Sequence, residues 1–133
     1  MPSLRESLAE LAGSIKKGVP MLSVPDIAAT LGWYASIGFT ELGRFADDGL
    51  VNWGMLSFGK VELMLRLGPA PSPNDVSLWL YTDRVDDLYK TFKSAPPGAI
   101  DFVEELYDPF YGGRQFGIRD LNGYALYFLQ PAG

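Results

Sequence analysis

Two absences decide which side chains could do chemistry here. The 133 residues include no cysteine and no histidine. Thiolate nucleophiles, thiolate metal sites and disulfides are therefore excluded. So are Ser–His triads, imidazole-rich zinc sites and His-Glu-x-x-His helices. The usual general base near neutral pH is also missing. Any catalysis would have to use carboxylate, Tyr, Lys, Arg or a bound cofactor.

The carboxylates come in three adjacent pairs: Asp47-Asp48, Asp86-Asp87 and Glu104-Glu105. Acid–base work needs two carboxyls converging in a pocket, and their spacing does not require that. Each pair reads most simply as a turn or a solvated face. Gly112-Gly113 is followed by Arg-Gln, without the Lys and Ser/Thr of a phosphate-binding loop.

Aromatic residues remain. Trp53, Trp79, Tyr81 and Tyr127 lie in segments that alternate like strands. Alternation puts Trp79 and Tyr81 on one face and Leu78 and Leu80 on the other. If the leucines pack on helices, the rings line a cavity; otherwise they are core or dimer contacts. By the same parity, Val61, Leu63 and Leu65 facing a helix would turn Glu62, Met64 and Arg66 to the opposite face. Phe110 and Tyr111 sit in a Gly-flanked loop, where no packing rule demands rings, and read as a mobile lid or a hydrophobic plug. Arg114 either bridges to a neighbouring acid or meets an anionic ligand group by paired hydrogen bonds.

The elements that must position these residues follow from periodicity. Residues 3–17 predict a helix: Ser3 and Glu6 form a capping box, and Leu4, Leu8, Leu11 and Ile15 make one apolar stripe. This helix is expected to pack on the domain, with a dimer contact as the other reading. Val19–Val24 predicts a strand. Asp26 caps a helix through Trp33, Tyr34 and Ile37 that stops at Gly38. Strands follow at 39–45, 50–58 and 61–67, the last two joined by the Gly59-Lys60 turn. Residues 68–75 hold Pro69, Pro71 and Pro73 and form a stiff linker. The order then recurs: strand 76–82, helix 83–94, strand 100–106, and strands 114–119 and 124–129 around the Asn122-Gly123 turn. Laying Asp26 on Arg84 keeps Ile27 on Val85, Leu31 on Tyr89 and Tyr34 on Phe92, a weak internal repeat. The expected architecture is a single α+β domain, 1–133. It has an N-terminal helix (1–18), a first βαβββ module (19–67), a linker (68–75) and a second βαβββ module (76–131). Two sheets, each with a helix on one face, leave two concave faces that together would enclose a cavity.

The net charge is −5, and only Lys16 and Lys17 are adjacent basic residues. Nucleic acid binding, which needs clustered Lys and Arg, is not expected. No apolar run reaches membrane-spanning length and no secretion signal is evident, so the expected location is cytoplasmic, with no membrane partner.

Four segments carry a family resemblance: V-P-M-L-S-V-P-D (19–26), W-Y-A-S-I-G-F (33–39), L-W-L-Y-T-D-R-V-D-D-L-Y (78–89) and P-F-Y-G-G-R-Q-F-G-I-R-D-L-N-G-Y (109–124). In order and spacing the chain resembles the vicinal oxygen chelate superfamily of glyoxalases, bleomycin resistance proteins and dioxygenases. Within it, the chain looks most like the bleomycin resistance proteins. Their Pro-Trp-Gly-Arg-Glu loop is answered here by 109–115, with Phe-Tyr for Trp and one residue inserted. The resemblance implies the two-module fold and a homodimer. Enzymes of the superfamily hold a divalent ion at positions that fall here on Val19, Glu62, Ser77 and Tyr127. Glu62 alone is a useful ligand, and a catalytic ion needs about three. No metal and no cofactor are therefore expected, with Glu62 a remnant.

The expected function is metal-independent sequestration of an organic ligand, in part cationic or aromatic, without catalysis. The lining set is Trp53, Glu62, Met64, Trp79, Tyr81, Phe110, Tyr111, Arg114 and Tyr127. The alternatives are a metal-dependent lyase, isomerase or dioxygenase of the same superfamily, and a non-catalytic interaction module.

Overall fold

The computed structural model describes all of residues 1–133. The internal repeat is visible at the helix starts. Asp26 is the N-cap of α2 (Ile27–Ser36) and Arg84 the N-cap of α3 (Val85–Lys93). Asp26 caps through its side chain, which accepts from the Ala29 amide at 3.0 Å. The next residues, Ile27 and Val85, are both buried at the root of their helix.

Strands β1 (Met21–Val24), β2 (Thr40–Asp47), β3 (Leu50–Phe58) and β4 (Val61–Leu67) form one sheet in the order β1-β4-β3-β2. Strands β5 (Ser77–Tyr81), β6 (Asp101–Tyr107), β7 (Arg114–Arg119) and β8 (Ala125–Gln130) form the second in the equivalent order β5-β8-β7-β6. β1 runs parallel to β4 and β5 to β8; the other pairings are antiparallel. The expected α+β plan of two βαβββ modules holds, with strand limits within three residues of those read from periodicity.

One core serves both modules. Leu22, Val24, Leu56, Leu63 and Leu65 meet Ile27, Leu31 and Tyr34, and are continuous with Leu80, Phe116, Ile118, Leu126 and Phe128. Gly54 permits the approach of α2 to β3: a Cβ there would lie 3.2 Å from Ile27 and Leu31 side-chain carbons. The Asp120–Gly123 turn of the second module latches onto the first. Tyr34 Oη donates to Asp120 Oδ2 at 2.6 Å, Asn122 Nδ2 to Thr30 Oγ1 at 3.0 Å, and Tyr124 Oη to the Ser23 carbonyl at 2.7 Å. Asp120 Oδ1 also accepts from the Asn122 and Tyr124 amides. Burial pushes the Asp120 carboxyl above the usual carboxylate range, although these donors pull the other way.

Two expectations are corrected. The N-terminal helix α1 (Leu4–Leu11) has the Ser3–Glu6 capping box but ends early, in a single 3-10 turn at Ala12–Ser14. It packs on nothing in its own chain: Leu4, Leu8, Leu11 and Ile15 are 76, 55, 61 and 72 % exposed. The chain from Ile15 to Pro20 has no regular structure, and this carries the helix clear of the core. The second correction concerns the concave faces. The modules pack through their helix-bearing faces, so the two open sheet faces do not enclose a cavity within one chain. Trp79 and Tyr81 on the open face of the second sheet are 44 and 71 % exposed.

Candidate functional site

The open face of the second sheet is organised in rows. On β5 and β8, Leu80, Leu126 and Phe128 are buried toward α3, so Trp79, Tyr81 and Tyr127 point the other way. Strand register places Trp79 beside Tyr127, Tyr127 beside Gly117 and Gly117 beside Glu104. The Trp79 and Tyr127 rings stack with centroids 4.4 Å apart and planes 17° from parallel. Gly117 allows this: a Cβ there would lie 2.7 Å from two carbons of the Tyr127 ring. The result is an aromatic shelf running across β5, β8 and β7, with a carboxylate at its far end.

That carboxylate is held in place. Gln115, almost wholly buried, donates from Nε2 to Glu104 Oε1 at 2.9 Å and to Tyr107 Oη at 3.2 Å. Tyr107 Oη donates to Glu104 Oε2 at 3.1 Å, and the Tyr111 hydroxyl donates to Gln115 Oε1. Burial, and then the hydrogen bond to Glu104, raise the Tyr107 hydroxyl above the ordinary phenol range. The neighbouring Glu105 goes elsewhere: it takes Lys93 Nζ at 2.6 Å and the Tyr89 hydroxyl beside α3. The Glu104-Glu105 pair is thus split between two faces. A register shift in the β6–β7 pairing on either side of Glu104 accompanies the split.

The open face of the first sheet carries Trp53, Glu62 and Met64. Leu63 and Leu65 are fully buried toward α2, so Glu62, Met64 and Arg66 take the open side. Register lines up Met21, Met64 and Met55 in one row and Ser23, Arg66 and Trp53 in the next. Three of the chain's four methionines therefore lie side by side, a soft surface that adapts to irregular guests.

The nine residues expected to line one pocket fall into separate groups. Trp79 and Tyr127 stack on the second sheet, Tyr81 borders the cleft between the two modules, and Tyr111 is tied to Gln115 on β7. Trp53, Glu62 and Met64 lie on the first sheet. Phe110 is fully exposed at the tip of its loop, edge-on to Tyr111. Arg114 turns toward α3, where it pairs with Asp86 at 2.8 Å and Asp108 at 2.9 Å. Glu104, Gln115, Tyr107 and Gly117 are additions. Strand periodicity could have placed Gln115 and Gly117 on one face, but the bulge hid Glu104.

The donors do not fit a divalent ion. Of the four positions that matter by resemblance, Val19 has no donor atom. Glu62 is paired with Lys17 Nζ at 2.6 Å, and the Ser77 hydroxyl accepts from Trp79 Nε1 at 3.2 Å. Tyr127 is committed to the stack. Nowhere do three or more acidic side chains converge. The shelf offers stacking area and a carboxylate fixed by Gln115 and Tyr107.

Residues 18–128 match the family model described as the Glyoxalase/Bleomycin resistance protein/Dioxygenase superfamily. No curated protein matches the chain by sequence. Among solved structures, TioX from Micromonospora sp. ML1 is 22 % identical, with TM-score 0.71 over 87 % of this chain and 99 % of that one. A bleomycin-binding protein solved with bleomycin is also 22 % identical, with TM-score 0.64 over 87 % and 98 %. TnmS3, an antibiotic binding protein from Streptomyces sp. CB03234, is 21 % identical, with TM-score 0.63 over 88 % and 98 %. At these identities the likeness shows the fold. No helix of the chain is long and apolar enough to cross a membrane.

Proposed function

Because the chain belongs to the glyoxalase/bleomycin resistance protein/dioxygenase superfamily, with a stacked aromatic shelf in place of a metal-ligand set, we propose that it sequesters a small organic molecule without a metal ion. The ligand class is a planar aromatic bearing a cationic or strongly donating group. Its ring lies on Trp79 and Tyr127, and its charged end reaches Glu104. The observation carrying this reading is the Trp79–Tyr127 stack seated on Gly117, one strand from that carboxylate.

Each added aromatic contact contributes on the order of 1 kcal/mol beyond burial. A half-exposed shelf alone holds a guest weakly, since ligand sites bury most of the ligand's surface. A second copy of the chain, in a cytoplasmic homodimer, supplies the other wall, with Trp53 and the Met21–Met64–Met55 row facing the shelf. The names of two structural neighbours, bleomycin-binding and antibiotic binding, support this reading of the fold's use.

The test is a titration followed by tryptophan fluorescence, with bleomycin first and then planar cationic aromatics. Saturable quenching is expected in the wild type and should weaken about tenfold in Trp79→Ala. Quenching that survives Trp79→Ala unchanged, or none across the panel, would sink the reading.

A further inference from the structure

Arg66 stands apart from the other arginines of the two modules. Arg44, Arg84, Arg114 and Arg119 are each paired with a carboxylate. Arg66 has no ion-pair partner. Glu62, the acid on its own face of β4, is taken by Lys17 at 2.6 Å. A second unmet group lies beside it. Ser23 Oγ is buried and has no hydrogen-bond partner, which few buried polar atoms tolerate in a folded protein. Ser23 and Arg66 are register partners on β1 and β4 and share the open face of the first sheet. They converge over Gly68: a Cβ there would lie 2.5 Å from Ser23 Oγ and 3.6 Å from Arg66 Nη1.

The proline-rich segment after β4 gives these two groups a pocket. β1 is an edge strand, and the segment walls its free side. The pocket holds about 380 Å³; Met21, Pro69, Ala70, Pro71 and Val76 supply apolar walls, and no acidic residue lines it. The wall is stiff, because Pro69 and Pro71 each fix a backbone angle. It is also pinned to the second module. Asn74 Nδ2 donates to the Asn122 carbonyl at 3.0 Å, and Asn74 Oδ1 accepts from the Val76 amide at 3.1 Å. Tyr124 borders the same pocket and donates from its hydroxyl to the Ser23 carbonyl at 2.7 Å.

We propose that this pocket binds the carboxylate of a small organic acid. A guanidinium presents a planar fork of donors that matches two carboxylate oxygens, and Arg66 is the arginine free to do so. Ser23 adds a third donor by turning about its Cα–Cβ bond, a motion that breaks no hydrogen bond. The apolar body of the acid lies against Met21 and the prolines. The volume is at the small end for ligand sites, so the body is about one ring in size. The site is independent of the aromatic shelf, which lies on the other sheet and whose Glu104 selects the opposite charge.

The test follows backbone amide shifts of the nitrogen-15-labelled protein as sodium benzoate is added at constant ionic strength. Saturable shifts are expected at Ser23, Arg66, Gly68 and Ala70. Benzamide, similar in shape but uncharged, should bind about tenfold more weakly. Arg66→Gln should weaken benzoate about tenfold, and Ser23→Ala roughly threefold. Lys60→Gln removes a different unpaired cation, on the exposed β3–β4 turn, and should change nothing. Benzoate that leaves these amides unmoved, or binds Arg66→Gln as well as wild type, would overturn the proposal. Equal binding of benzamide would remove the recognition of charge. Inorganic phosphate matching benzoate would show a bare cation attracting any anion, and would equally overturn the assignment to an organic acid.

Discussion

Gly117 lies directly beneath the ring of Tyr127, so close that a methyl group there would come within 2.7 Å of two ring carbons. The alignment of the Trp79–Tyr127 pair depends on this missing side chain.

Gly117→Ala is therefore expected to tilt or expel the Tyr127 ring. Tyr127 is only half-buried and can rotate, so the stability cost should stay near the low end of overpacking, about 1 kcal/mol. Ligand affinity should fall roughly tenfold as the stack is lost. Urea unfolding and fluorescence titration of the same protein separate the two effects; a large stability loss with intact binding would contradict the assignment.

Glu104→Gln keeps the shape of the side chain and removes its charge. Cationic aromatic ligands should bind several-fold more weakly, by about 1 kcal/mol, while neutral ligands of the same shape change little. The difference should shrink at high salt. Equal losses for charged and neutral ligands would show that Glu104 only supports the sheet.

Tyr34→Phe removes the donor to Asp120 Oδ2 across the module junction. A buried carboxylate left short of a donor costs about 1–3 kcal/mol near neutral pH. Asp120 has a folded pKa raised by burial, so the folded state holds its proton up to higher pH than the unfolded chain does. The stabilisation is fully present below the unfolded pKa and is lost as pH rises through the folded value. Losing the Tyr34 donor raises the folded pKa further. The cost of Tyr34→Phe should thus be largest at neutral pH and diminish on acidification, as measured by urea unfolding at several pH values. A cost that grows in acid would reverse the sign.

Ligand affinity should be unchanged by a chelator or by added divalent ions. Glu62→Gln, which breaks the pair with Lys17, should leave it within about twofold, as an exposed ion pair contributes little. Chelator-sensitive affinity restored by one particular metal would revive the enzymatic alternative.

Much of the fold could be read along the chain because its signals are local. Helix caps at Ser3 and Asp26, alternation in residues 61–67 and 77–81, and the turns at Gly59-Lys60 and Asn122-Gly123 depend on near neighbours alone. The repeat that aligns Asp26 with Arg84 then gives the module order. The sequence also excluded thiol and imidazole chemistry outright, since absent residue types cannot be restored by folding.

Tertiary structure decided what lies beside what. The shift in β6–β7 register, invisible to a period of two, sends Glu104 to the shelf and Glu105 to Lys93. Packing through the helix-bearing faces separates Trp53 and Met64 from Trp79 and Tyr127, although alternation had given all four a common kind of face. Arg114, one residue out of phase with Gln115, turns to Asp86. The stripe of α1 was legible from spacing, but whether it met a surface depended on where the extended segment after it leads the chain. Periodicity assigns each side chain to a face; only the long-range pairing of strands and modules gives that face its neighbours.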